Sequence, residues 1–351
     1  MRRTLISTLS FAILALLVGC GEPAVRTVPL SGFGGAGEVT IYAGQQSEID
    51  ALMADIEDAI GRVEAMTDLD DPESAISRFN LAAADGYYEI EDRDFYRILR
   101  LAMDYARASR GAYDPTVGPL MALYEQGGAP DDTQIAAAME AVGWRFIAEA
   151  QEAQAFRFRR PGMALDLDGV SKGFALHVAS RALARVGSQG ALFVLGSNAY
   201  AWSSPPGERF WTVPVMEPRD PSQMMLTIQV ENRGVAASSP SLAAGETVLD
   251  PRSGKPAETR IVAAVGVAHT SGDADAFATA LAASSYGQAT ELIGRMRQVE
   301  VALLMQEGER RYLLASASLE QRMQLSPQLE QEIDGDVRFL LPPQEYPDDP
   351  A

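Results

Sequence analysis

Hydrophobic positions along this chain repeat with two periods. Over residues 48–66, Ile49, Leu52, Ile56, Ile60 and Val63 recur at three- and four-residue steps, the spacing of one apolar helix face. Turn chemistry follows at Asp70-Asp71-Pro72. Similar spacing predicts helices over 95–108, stopped near Gly111, and over 133–142, stopped at Gly143. Short apolar and β-branched runs predict a strand at 39–43 and a hairpin of 156–159 with 164–167, turned at Pro161-Gly162. A helix is expected over 170–186 with Gly187 at its C′ position. Strands are expected at 191–195, 210–215, 225–230 and 263–267. Helices are expected at 274–283 and 289–295, and a closing hairpin of 299–305 with 311–315. Strands and helices mix without strict βαβ alternation, which predicts an α+β fold of mixed sheets with packed helices.

The two ends read differently. Arg2 and Arg3 precede an apolar run over 6–18 that ends at Cys20, the only cysteine. A basic start, a short apolar stretch and small residues describe a signal peptide, and the run is too short to span a bilayer as a mature helix. Cys20 stands where a lipobox places its acylated residue. The expected organisation is a lipoprotein signal peptide over 1–19, a lipid-bearing Cys20 heading a tether over 20–31, one domain over 32–341 and a disordered Pro- and Asp-rich tail over 342–351. The expected location is the bacterial envelope, anchored by lipid and facing the periplasm. A hydrophobic fraction of 47% allows a substantial core, and the formal charge of −19 argues against a nucleic-acid partner.

Four stretches carry candidate chemistry. Residues 111–120, Gly-Ala-Tyr-Asp-Pro-Thr-Val-Gly-Pro-Leu, fix their backbone with two prolines and two glycines, as a cofactor wall or an ordinary helix-ending loop would. In residues 164–174, Asp166 and Asp168 alternate with leucines, so a strand would send both to one face. Gly169 then opens a helix carrying Lys172 and Gly173 in its first turns. Free backbone N–H groups and a lysine suit a phosphate, although a simple strand-to-helix turn with Asp168 near the cap explains the pattern as well. Asp275 and Thr279 stand at i and i+4, and a carboxylate and a hydroxyl on one helix face suit a hard cation such as Mg²⁺. Acidic residues balancing the helix dipole account equally for that pair. Residues 250–254, Asp-Pro-Arg-Ser-Gly, form a turn whose Asp250 and Arg252 could simply bind one another.

In this order the stretches resemble the FAD:protein FMN transferase family, also called ApbE lipoproteins. Residues 76–80, Ile-Ser-Arg-Phe-Asn, resemble its Ile-Ser-Arg-Leu-Asn, and 111–120 its Gly-Ala-Phe-Asp-Pro-Thr-Val-Gly-Pro-Leu. Residues 166–173 are similar to Asp-Leu-Gly-Gly-Ile-Ala-Lys-Gly, and 195–198 to Leu-Gly-Gly-Asn. Residues 210–213 stand for a Trp-Arg-Val strand, 249–256 for Ile-Asp-Pro-Arg-Thr-Gly-x-Pro, and 273–281 for Asp-Ala-Asp-Ala-Leu-Ala-Thr-Ala-Leu. The resemblance implies a T-fold-like flavin transferase architecture and Mg²⁺-dependent transfer of FMN from FAD to a Ser or Thr of an acceptor protein, releasing AMP. It implies FAD contacts at Phe33, Ala112, Tyr113, Asp114, Asp168 and Lys172. It implies a metal held by Asp275, Thr279 and the Ser171 carbonyl, with Asp275, Thr279 and Lys172 serving catalysis.

Two departures stand out. Thr247 occupies the place of a histidine usual in the family, and the segment after Ser238 is shortened. The chain has two histidines, His177 and His269; an imidazole accepts a hydroxyl proton well at neutral pH, and His269 precedes the metal helix. Three activities therefore stay open: FMN transfer, flavin binding without transfer as a periplasmic carrier, and hydrolysis of FAD to FMN and AMP.

Overall fold

The computed structural model describes residues 24–43, 46–125, 129–185, 188–241, 248–296 and 298–340. Among these residues nine strands make the main sheet: β1 (Ala24–Gly32), β2 (Gly35–Ala43), β3 (Gly190–Leu195), β4 (Asn198–Ser203), β5 (Arg233–Ser238), β6 (Ile261–Ala268), β7 (Glu300–Glu307), β8 (Arg310–Ser316) and β9 (Val337–Leu340). Their order in space is their order in sequence. Every neighbouring pair is antiparallel except β8 with β9. The α+β expectation holds.

Helices cover one face: α1 (Gln46–Thr67), α2 (Arg93–Ala108), α3 (Asp168–Ser180) and α4 (Ser271–Ala282). The other face carries a three-stranded sheet of Trp211–Glu217, Asp220–Val230 and Met323–Leu325. The pleat of β7 feeds both layers. Val301, Leu303 and Met305 enter the helical core, while Ala302 and Leu304 enter the core beneath the small sheet. The periodic aliphatics of α1 are all buried, and each such side chain contributes about 1.5–3 kcal/mol in transfer free energy. Helix α4 is unlike α1. Nearly all of its residues are buried, because Ala, Gly and Ser let it sink between α3 and the sheet.

Three expectations need correction. Residues 24–31 are not a tether but most of β1, paired with β2 from Ala24 to Gly32. As an edge strand it is largely exposed and tolerates Pro29, so it lacks the usual strand signature. The expected hairpin of 156–159 with 164–167 does not form. Ala155–Phe158 pairs instead with Ile147–Ala150 and Tyr88–Glu89, and 164–167 is irregular. There Asn80 donates to the Leu165 carbonyl (2.9 Å) and accepts from its N–H (2.8 Å). Asp166 and Asp168 therefore do not share a strand face; Asp168 is the first residue of α3. That helix ends at Ser180, short of the expected 186, where the Arg181 N–H tightens to the Val178 carbonyl. Gly187, residues 1–23 with Cys20, and the tail 342–351 lie outside the described residues.

Candidate functional site

Helices α3 and α4 meet backbone to backbone, and glycine permits it. A Cβ on Gly173 would lie 2.5 Å from the Ser271 carbonyl oxygen. On the sheet side, a Cβ on Gly234 would lie 2.3 Å from the Ser271 Cα, and one on Gly266 2.6 Å from the Ala274 oxygen. Gly169 faces Thr279 and Gly173 faces Ser271, so the two helices run in opposite directions.

Ser271, Asp275 and Thr279 share one face of α4 at successive i+4 steps. Asp275 is buried, and the Gly173 N–H donates to its Oδ2 at a long 3.4 Å. Burial pushes its carboxyl up to about 7; the charge of Lys172 opposes this, Asp168 adds to it, and the Gly173 N–H and the Asn198 amide oppose it further. Lys172 binds Asp168 at 3.1 Å. Burial also raises Asp166 to about 6, against the stabilising N–H of Asp168, which donates at 2.8 Å. Ser171 is buried, and its hydroxyl donates back to the Leu167 carbonyl at 2.7 Å.

The 111–118 loop closes on this point. The Tyr113 ring lies against Gly169, where a Cβ would come within 3.2 Å of it. The Tyr113 hydroxyl is buried and makes no hydrogen bond. Burial holds it well above the ordinary phenol value, with Asp166, Asp275 and Asp114 pushing the same way. Ala112 is buried beside it. Both oxygens of Asp114 serve the loop itself: Oδ1 accepts from the Thr116 N–H (3.0 Å) and hydroxyl (2.7 Å), and Oδ2 from the Trp144 N–H (2.9 Å). Two contacts join this loop to the 164–168 segment. Asp166 N–H donates to the Pro115 carbonyl at 2.8 Å, and Gly118 abuts Ala164.

The structure thus gathers Tyr113, Asp166, Asp168, Ser171, Lys172, Asp275 and Thr279. Phe33 sits at the tip of the β1–β2 hairpin with φ 53°, its N–H donating to Glu64 of α1 at 2.6 Å. Arg252 binds Asp250 at 2.6 Å and donates to the Ala283 carbonyl at 2.7 Å, so the 250–254 turn caps the end of α4, one turn beyond Thr279. His177 and His269 lie elsewhere. They lie near the opposite end of the helix pair, where burial lowers the His177 pKa. That is roughly 12 Å along α3 from Gly169 by helical rise. Thr247 lies outside the described residues. Asn198, to which the sequence assigns no role, joins the compartment; its signals are a carboxamide opening an apolar strand and its place at the end of the 195–198 resemblance.

Among the described residues no group of three or more His, Cys, Asp or Glu side chains is placed to hold a metal. A buried carboxylate raised by desolvation, with a hydroxyl one turn away, nevertheless fits a hard cation that takes its remaining oxygens from a phosphate-bearing ligand. Two cavities lie away from this cluster: one of about 370 Å³ bordered by Ser239, Thr259 and Arg260, and one of about 270 Å³ beside Trp144.

Comparison with known proteins gives a consistent result. The model of the ApbE family matches residues 33–303. The chain is 25% identical over 325 residues to the FAD:protein FMN transferase of Klebsiella pneumoniae (strain 342), covering 84% of this chain and 90% of that protein. It is 24% identical to the FAD:protein FMN transferase of Treponema pallidum (strain Nichols), over 86% of this chain and 87% of the relative. In fold it resembles the apo form of Pseudomonas stutzeri flavinyl transferase ApbE, with a TM-score of 0.75 at 20% identity, over 86% of this chain and 98% of that one.

Proposed function

The chain belongs to the ApbE family, and from that premise and the site geometry we propose that it is a flavin transferase moving FMN from FAD to a Ser or Thr hydroxyl of an acceptor protein. The observation that carries this reading is the convergence of three separate stretches on Asp275: the 111–118 loop, the N-terminal turns of α3 and the Asp275–Thr279 face of α4. Helix N-termini and a lysine favour a diphosphate, and Asp168 and Lys172 stand at the start of α3. Tyr113 and Ala112 would line the FAD site, and Phe33 would approach it from the hairpin. With both Asp114 oxygens engaged, that residue would act by shaping its loop.

Asp275, Thr279 and the Ser171 carbonyl would hold Mg²⁺, which would neutralise charge on the diphosphate as the anhydride breaks. In the transfer, the acceptor hydroxyl oxygen bonds to the flavin-side phosphorus and AMP leaves with the bridging oxygen. The hydroxyl proton passes to a base. His269, at the far end of the helix pair, is poorly placed for that role.

Export and acylation at Cys20, placing the enzyme on the periplasmic side of a membrane, are part of the same proposal and rest on the sequence pattern alone. Cys20→Ser should leave the protein out of the membrane fraction; unchanged fractionation would refute the anchor.

Incubation with FAD and Mg²⁺, with and without an acceptor protein, tests the activity. Transfer predicts AMP released only with acceptor present, together with an FMN-sized mass increase on the acceptor. AMP without acceptor would mean hydrolysis, and FAD binding with no AMP in either arm would mean a carrier.

A further inference from the structure

Asn198 opens β4 directly after the Gly196-Ser197 turn and is 1% exposed. Neither its Nδ2 nor its Oδ1 completes a hydrogen bond of ordinary length and angle. A buried carboxamide without partners costs free energy that a leucine would not, so its presence asks for a reason.

The sheet register locates it. Asn198 stands opposite Ala236 of β5, and Ala236 opposite Gly266 of β6. Gly266 is where α4 rests on the sheet, against Ala274. Asp275 follows Ala274, and its carboxylate turns to the Gly173 N–H of α3. Helix α3 packs over β4, where His177 meets Tyr200 edge to face. Asn198 therefore lies under the junction of both helices, its unpartnered carboxamide buried beneath the stretch of α4 that carries Asp275.

We propose that Asn198 is a positioning residue for the cation site, bracing the Asp275 carboxylate from the sheet side so that the cation meets an oriented ligand. The inference rests on the reading of Asp275 as that ligand. An amide suits the task because it can donate to a carboxylate without adding a second negative charge to the compartment. Gly173 supplies only a long bond, so orientation needs a further contact.

The test is calorimetric titration of the purified protein with Mg²⁺ at saturating FAD, in the parent, Asn198→Leu and Asp275→Ala. Outer-shell partners of metal ligands are typically worth about 10–100-fold in affinity, and that weakening is expected for Asn198→Leu. Its FAD affinity measured without cation should match the parent's, and it should melt no lower, since no amide is left stranded. A residue that only packs would leave Mg²⁺ affinity in Asn198→Leu at the parental value. Equal Mg²⁺ affinity in parent and Asn198→Leu, with binding lost in Asp275→Ala, overturns the role of Asn198 and leaves the cation site standing. Equal binding by parent and Asp275→Ala, or no binding by the parent, overturns both.

Discussion

Asp273 and Asp275 sit two residues apart on α4 and live in opposite circumstances. Asp273 is satisfied by ordinary bonds. Tyr105 donates its hydroxyl at 2.8 Å, Thr270 donates its own at 2.8 Å, and the Asp273 N–H bonds the Thr270 cap at 3.0 Å. Asp275 is buried with a 3.4 Å bond and a raised pKa. The first carboxylate closes the start of a helix. The second is held at a cost that the fold alone does not repay, which is how a ligand-binding group differs from a structural one.

The largest expected effect comes from removing the second charge. A carboxyl whose folded pKa is raised contributes most below its unfolded value near 4, and that contribution is lost as pH rises to about 7. Asp275→Asn should therefore stabilise the cation-free protein at pH 8 by up to about 4 kcal/mol, and change little at pH 3. Urea unfolding at both pH values reads this. The same variant should lower Mg²⁺-dependent transfer by about 100-fold or more. A variant no more stable than the parent at pH 8 would place Asp275 in the same class as Asp273.

Next in size is the crossing itself. Gly173→Ala forces a methyl against the Ser271 carbonyl, and overpacking of this kind costs about 1–3 kcal/mol. The denaturation midpoint should fall, and Mg²⁺ affinity with it, because the same shift moves the Gly173 N–H from Asp275. Smallest is Tyr105→Phe, which removes one bond to Asp273 and should cost about 1 kcal/mol. Transfer should stay close to the parental rate. A large loss of transfer in Tyr105→Phe would erase the distinction between the two carboxylates.

Much of this was legible in the chain. The i, i+4 spacing of Asp275 and Thr279 placed both on one face, and the periodic aliphatics of α1 located a buried helix. What escaped was long-range. Strand β5, Arg-Gly-Val-Ala-Ala-Ser, is rich in small residues and buried on both faces, and in β4 the first four residues are all buried, so no alternation of apolar and polar positions marks either strand. The 164–167 stretch alternates like a strand, yet Asn80, 85 residues away, takes its backbone bonds. The partnership of Asp275 with Gly173 spans 102 residues, and local periodicity cannot report that.

The contacts of α4 with Gly173, Gly234 and Gly266 also have a mechanical meaning. Where main chain lies on main chain, no side chain is present to swing aside, and a close-packed contact has no slack to give. Helix α4 is gripped between α3 and the sheet as if clamped. Access to Asp275 then cannot be gated by prying the helices apart, and traffic in and out of the site falls to the loops at its rim.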